Sequence, residues 1–195
     1  FRRYERLVDG MRRAILMDAP PHKEDVGPFI SIARLLSKLG YSAPGIYAAD
    51  AINGLLIIED FGNDTYTHIL NSSSQTPTEH ELYAIAVDLL IDLHNRPDAE
   101  TIPTDLPAYN EGRLLEEVLL FTDWYMPAVL HQKINIDNRN SYIHAWRKIL
   151  VPILEAEPTL VLRDYHVDNL IWLPARSGVA ACGILDFQDA VAGHR

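Results

Sequence analysis

Residues 160–187 read LVLRDYHVDNLIWLPARSGVAACGILDF, and the order of apolar and polar residues in this stretch decides the fold. Short apolar runs at Thr159–Leu162, Leu170–Leu173 and Val179–Leu185 predict three strands, with a polar loop between the first two and the turn residues 174–178 between the last two. A hairpin built from the second and third runs brings its open ends together, and those ends carry Asn169 and Asp186. An amide oxygen beside a carboxylate suits a hard cation such as magnesium, which prefers oxygen ligands and carries substrate phosphates with it. Asp164, at the end of the first run, is expected to face the same point and to accept the proton of an attacking hydroxyl. Asp and Asn are also ordinary turn residues. Their joint agreement with the hairpin, rather than any one of them, is what points to chemistry.

The rest of the composition bounds this reading. A chain of 195 residues can form one large domain or two small lobes, and its 48% hydrophobic content supports a core rather than a disordered tail. The formal net charge of −10 excludes general attraction to nucleic acid and opposes an anionic membrane surface. A bound phosphate must therefore be held by local cations. The single cysteine, Cys182, lies in an apolar run and reads as a small buried side chain without a disulfide. No apolar run approaches the roughly 18 residues of a membrane span. No signal peptide is visible, and a cytoplasmic address fits. The eight histidines have no zinc-type spacing, so no structural metal is expected. The chain begins without Met and stops soon after Asp186, and it is expected to be cut at both ends.

Upstream, Tyr4–Val8 and Arg12–Met17 read as strands around Asp9-Gly10. Pro28 opens a helix whose stripe is Phe29, Ile32, Ala33, Leu36 and Leu39, with Gly40 as its stop. Ile46–Ala49 and Leu55–Glu59 form a second hairpin through Asn53-Gly54, and the unalternating LLIIED predicts a strand buried on both faces. A lobe boundary is placed near Asp60, followed by a polar loop and the stretch Asn71-Ser72-Ser73-Ser74-Gln75. Helices are expected from Thr78, with a Thr78/Glu81 capping box and Pro97 as the limit, then over Glu111 to about Leu130, and over about Asn140 to Leu154 with a break at Pro152.

Arg163-Asp164 followed by Asn169, and Asp186-Phe187 beyond it, match the kinase pattern R-D-x-x-x-x-N and D-F. The chain resembles the aminoglycoside phosphotransferase family of kinase-like enzymes over essentially its whole length. The stretches Phe1-Arg2-Arg3-Tyr4, Met17-Asp18-Ala19-Pro20-Pro21, Leu56 to Gly62 and Leu185 to Ala190 carry the likeness alongside the catalytic loop. Within the family it is most similar to bacterial kinases that phosphorylate the anomeric hydroxyl of N-acetylmuramate and N-acetylglucosamine in cell-wall recycling. The resemblance implies an α+β, protein-kinase-like fold in two lobes, truncated in the N-terminal lobe and at the C-terminus. Residues 1–60 would be the partial β-rich lobe and hinge, and 61–195 the mainly helical lobe. It implies ATP and Mg2+ as cofactors, a small sugar as substrate, Asp164 as catalytic base, and Asn169 and Asp186 as metal ligands. Glu59 and Asp60 would belong to the hinge whose backbone binds adenine. His166 and Asp189 are candidate substrate contacts; Asp168, beside His166, is expected either to meet substrate or to order the loop. Trp124 and Tyr125 could stack on a sugar ring, although helix-borne aromatics are more often core.

Three departures qualify the likeness. No G-x-G pair exists, so the phosphate-covering loop is expected before Phe1. The strand lysine of kinases is absent from AILMDAPP. Arg2, Arg3, Arg13 and Lys23 are the possible substitutes, each first expected as a solvated surface charge. Leu162 stands where kinases have His, which changes a packing contact rather than a reacting group. Two other readings remain open: an aminoglycoside antibiotic kinase, whose polycationic substrates suit the acidic chain, and a catalytically dead kinase-like binding module.

Overall fold

The computed structural model describes residues 2–72 and 77–194. Phe1 of the FRRY stretch, and Ser73, Ser74 and Gln75 of the polar stretch, lie outside the described residues. The chain forms two compact units: residues 1–97 with 162–190, and residues 98–161 with 191–195. This division differs from the composition change at Asp60, where the strands of the first sheet end.

The first unit opens with β1 (Arg3–Asp9) and β2 (Arg12–Asp18), antiparallel with Asp9 opposite Arg12. The turn is thus Gly10-Met11, one residue later than the Asp-Gly signal suggests, with Gly10 supplying the positive φ of 61°. β3 (Ile46–Asp50) and β4 (Leu55–Ile58) form the second hairpin, and the four strands lie in the order β1-β2-β4-β3. Gly54 at the hairpin turn has φ +71°, and its carbonyl accepts from Ala19 N–H at 2.9 Å. A Cβ there would lie 1.9 Å from the Ala19 carbonyl oxygen, so the position requires glycine.

β4 corrects one expectation. Leu56 and Ile58 are buried, but Leu55 is 38% exposed and Ile57 only half-buried. The strand has one covered face despite its unbroken apolar sequence.

α1 (Gly27–Lys38) begins with Pro28 in its first turn and buries Phe29, Ile32, Ala33 and Leu36. It ends at Gly40, φ +90°, where Tyr41 N–H bonds the Leu36 carbonyl and Gly40 N–H bonds that of Ser37. α2 (Tyr66–Leu70) is capped by the Thr65 hydroxyl. α3 (Glu79–Asn95) starts with the expected reciprocal Thr78/Glu81 box and buries Leu82, Ala86, Leu89 and Leu93, with Ile85 half-buried.

The second unit contains a short α4 (Asp98–Thr101) and a helix running from Glu111 to Ala128. This helix is α5 (Glu111–Leu120), a π-helical turn at Phe121–Tyr125, and α6 (Met126–Ala128). α7 (Ile136–Leu154) starts four residues before the expected Asn140, because the Asn135 side chain caps it by accepting from Asn138 N–H at 2.8 Å. Pro152 is accommodated in its last turn.

The strands of the deciding stretch are not one meander. β5 (Pro158–Val161) pairs antiparallel with β8 (Val191–His194), a strand the sequence reading did not identify. β6 (Leu170–Trp172) pairs with β7 (Cys182–Ile184) in a separate two-stranded sheet of the first unit. Gly178–Ala181 is a 3-10 turn rather than the start of the returning strand. The β6–β7 hairpin is tied to the segment after α1: Ile184 N–H bonds the Ser42 carbonyl at 2.8 Å, and the Ser42 hydroxyl bonds that of Ala180 at 2.6 Å.

Candidate active site

The open end of the β6–β7 hairpin forms as its sequence implies. Leu170 lies opposite Ile184, and Leu185 N–H donates to the Asn169 carbonyl at 2.8 Å, so Asn169 and Asp186 flank the last rung. Asn169 is fixed further by its own side chain. Its Nδ2 donates to the main-chain oxygen of Asp164 at 3.0 Å and approaches His166 Nε2 at 3.2 Å. The residue expected as base and a residue expected as metal ligand are thus joined across the 164–169 loop, although β5 does not join the hairpin's sheet.

Two non-glycine residues of the site have left-handed backbone, Arg163 at φ +63° and Asp186 at φ +55°. Such conformations are uncommon outside turns, and Asp tolerates them better than most residues. At Asp186 the reversal separates the carboxylate from Phe187, which is 1% exposed and stacks on Phe29 of α1 with ring centroids 5.0 Å apart. One dipeptide therefore serves both the site and the core.

Asp186 Oδ1 accepts from Gln188 Nε2 at 2.9 Å and from Arg2 at 3.3 Å, while Oδ2 makes no hydrogen bond among the described residues. Asp164 is exposed, and its carboxylate also makes none among the described residues. The Asn169 amide oxygen is left unbonded because only its nitrogen is used. This donor set fits magnesium: two hard oxygens from the hairpin, with remaining positions for phosphate and water.

A cleft of about 430 Å³ adjoins these residues, lined by Ile15, Ile58, Glu59, Phe61, Asn169 and Asp186 among others. Its apolar wall and polar end suit a planar base joined to a charged tail. The side chains of Glu59 and Asp60 are already engaged. Glu59 Oε1 meets Arg176 at 2.5 Å and its Oε2 accepts from Gly45 N–H at 3.2 Å. Arg176 also sits over the Phe61 ring, 5.0 Å from its centroid.

The Asp60 side chain is 3% exposed, with Arg6 Nε 2.7 Å from Oδ2. Its Oδ1 accepts from Arg6 and from Gly62 N–H, each at 2.9 Å. Burial pushes this carboxyl upward, but the Arg6 and Gly62 bonds outweigh it and hold the group below the usual carboxylate range. The Glu59 carbonyl and the Phe61 N–H have no hydrogen-bond partner among the described residues, while Glu59 N–H is committed to Gly45. An acceptor and a donor two residues apart are what the edge of an adenine requires.

The remaining candidates divide. His166 Nε2 is at Asn169, and its Nδ1 lies 3.6 Å from Asp168, so both residues order the loop. Asp168 also accepts from Thr67 at 2.5 Å, linking the loop to α2. Asp189 is exposed, with its carboxylate 3.5 Å from Gln188. Trp124 and Tyr125 belong to the π-helical turn of the second unit and are 61% and 39% exposed, contrary to a core reading. Cys182 is fully buried, and burial pushes its thiol up, as expected of an inert side chain.

Sequence reading missed Glu24 and Gln188 and placed Arg2 on the surface. Arg2 Nε lies 2.6 Å from Glu24, NH1 donates to Gln188 at 2.8 Å, and NH2 lies 3.3 Å from Asp186. The only local signal was Gln188 inside the DFQDA stretch.

Comparison with known proteins bears on the family and the fold. The model of the phosphotransferase enzyme family matches residues 1–195. The N-acetylmuramate/N-acetylglucosamine kinase of Pseudomonas aeruginosa is 36% identical over 99% of this chain, and that of Caulobacter vibrioides 34% identical over 99%. The chain spans 53% and 61% of those proteins, roughly half to three fifths of their length. Among solved structures, the choline kinase LicA of Streptococcus pneumoniae has TM-score 0.61 at 12% identity, over 98% of this chain and 61% of its own. APH(2″)-IIa, in its ternary complex with streptomycin and ATP, has TM-score 0.56 at 18% identity, over 98% of this chain and 67% of its own. The fold is therefore the mixed helix-and-sheet, protein-kinase-like fold of aminoglycoside and choline kinases. By the family match over residues 1–195, the chain belongs to the phosphotransferase enzyme family.

Proposed function

We propose that this chain carries the nucleotide cleft and catalytic loop of an ATP-dependent sugar kinase. The acceptor is a sugar hydroxyl, most specifically the anomeric hydroxyl of N-acetylmuramate or N-acetylglucosamine in cell-wall recycling. The observation that carries the reaction class is the hairpin end. There Asn169 and Asp186 flank one rung, and Asn169 is bonded to the main chain of Asp164. The names of the curated relatives at 31–36% identity support the acceptor.

In this reading, residues 1–60 are the β-rich lobe and hinge, and 61–195 the helical lobe. The Glu59 carbonyl and Phe61 N–H take the adenine edge, and Ile15 and Ile58 pack on the base. Asn169 and Asp186 would hold magnesium, which would supply charge neutralisation at the phosphate oxygens. Asp164 orients the acceptor hydroxyl and takes its proton as the new P–O bond forms and the bond to the ADP oxygen breaks. Most of the rate comes from positioning and electrostatic stabilisation. No helix among the described residues is long and apolar enough to cross a membrane, and the substrates proposed are those of a cytoplasmic enzyme.

One observation favours a second acceptor class: the −10 net charge suits polycationic aminoglycosides better than anionic N-acetylmuramate. The deciding experiment is ADP release by the full-length protein against N-acetylmuramate, N-acetylglucosamine, kanamycin and choline. Turnover with the amino sugars alone is expected. Turnover with kanamycin alone overturns the acceptor, and no turnover with any of them favours the reading as a kinase-like binding module.

A further inference from the structure

The kinase strand lysine is missing from β2, yet a phosphate held against a −10 chain needs a local cation. Of the four basic residues weighed for that task, Arg3, Arg13 and Lys23 are exposed. Arg2 is not: its side chain is 16% exposed, against 87% for Arg12 on the same hairpin. Its guanidinium is held on three sides. Nε lies 2.6 Å from Glu24 Oε1, in the segment leading into α1. NH1 donates to Gln188 Oε1 at 2.8 Å and to the Tyr4 hydroxyl at 3.3 Å. NH2 lies 3.3 Å from Asp186 Oδ1, and Tyr4 and Asp186 both line the cleft.

Resting on the kinase reading above, we propose that Arg2 is the cation that grips the nucleotide phosphates in place of the absent strand lysine. Three of the five guanidinium N–H groups are bonded to Glu24, Gln188 and Tyr4, which fixes the plane of the fork. The NH2 group points to the acidic end of the cleft and makes only a long contact with Asp186. A nucleotide phosphate beside Asp186 offers that nitrogen a stronger, charge-assisted partner. Glu24 then does for Arg2 what a helix-borne glutamate does for the lysine of protein kinases. The difference is that the cation comes from the residue just before β1 rather than from the strand β2.

The test measures nucleotide binding to the full-length protein by calorimetry, using adenosine and ADP in EDTA and then ADP with magnesium. Arg2→Gln is expected to weaken ADP at least tenfold with or without magnesium and to leave adenosine within twofold, and Arg2→Lys, which keeps the charge but not the fork, to recover only part of the loss. Glu24→Gln is expected to give a smaller loss in the same direction, and it keeps the proposal testable if Arg2→Gln does not fold. An ADP loss confined to the magnesium arm would mean that Arg2 only positions Asp186, and would overturn the proposal. So would equal losses for adenosine and ADP, or no loss at all. Because no acceptor is present, a failure of the sugar assignment leaves these binding results readable.

Discussion

At the level of single residues, the site is a set of carboxylates and amides whose free oxygens are decided by what holds the others. Asn169 spends its nitrogen on Asp164 and His166 and keeps its oxygen. Asp186 commits Oδ1 to Gln188 and Arg2 and keeps Oδ2. Among the described residues Asp164 keeps its whole carboxylate, as the proton transfer proposed for it requires. Asp164→Asn is expected to lower turnover by roughly a hundredfold or more while nucleotide affinity stays unchanged. Turnover within a few-fold of wild type, in the same assay that gives normal ADP binding, would remove Asp164 from the role of base. These three residues stand out in the sequence because their spacing matches the kinase pattern, and the fold brings Asn169 to the main chain of Asp164 and to the hairpin end that carries Asp186. The Arg2–Glu24–Gln188 group was not. Its members are distant in sequence, and nothing local distinguishes the half-buried Arg2 from the exposed Arg3 beside it.

Among elements, the most consequential contact is Phe29 on Phe187, which packs α1 against the strand end bearing Asp186. Both rings are nearly inaccessible. Phe187→Ala is expected to cost about 3–5 kcal/mol in urea unfolding, and Phe187→Leu much less. A loss below about 1 kcal/mol for the alanine variant would show that this stack does not anchor the segment. The elements themselves were readable wherever a local rule sets them: both N-terminal hairpins, the Thr78/Glu81 box and the Gly40 stop. The misses have a common cause. Pairing of β5 with β8 is chosen by contacts 30 or so residues apart in sequence, and the four residues of β8 carry no strand signal of their own. The early start of α7 was readable from Asn135, an ordinary cap before Ile136. The burial of β4 was misread because an unbroken apolar run shows what a face tolerates, not what covers it.

For the whole chain, both units contain carboxylates depressed by their partners. Asp60 is lowered by Arg6 and Gly62 against its burial, Asp92 by the Tyr41 hydroxyl and Arg96, and Asp123 to about 2 by Arg139. Each contributes stability above its unfolded value of about 4 and loses it as pH falls through the folded value. The urea midpoint is therefore expected to stay level from neutral pH to about 5 and to fall between about 4 and 2. Added salt should shrink the exposed Asp123–Arg139 share. Asp123→Asn should flatten part of the fall. A midpoint that stayed constant or rose over that interval would contradict these assignments. The acidic composition was plain in the sequence. Which acids are paired, and so which are felt on acidification, depended on the fold.

The left-handed backbone at Asp186 also bears on how copies of such a gene decay. Asn and Gly share with Asp an easier tolerance of φ near +55° than most residues have. On the metal-binding role proposed for Asp186, the substitutions expected to remove that role with least cost to the fold are therefore Asp186→Asn and Asp186→Gly. A lineage that kept the fold after losing the chemistry should be found carrying one of those two replacements, whereas β-branched residues there would mark sequences no longer under selection to fold.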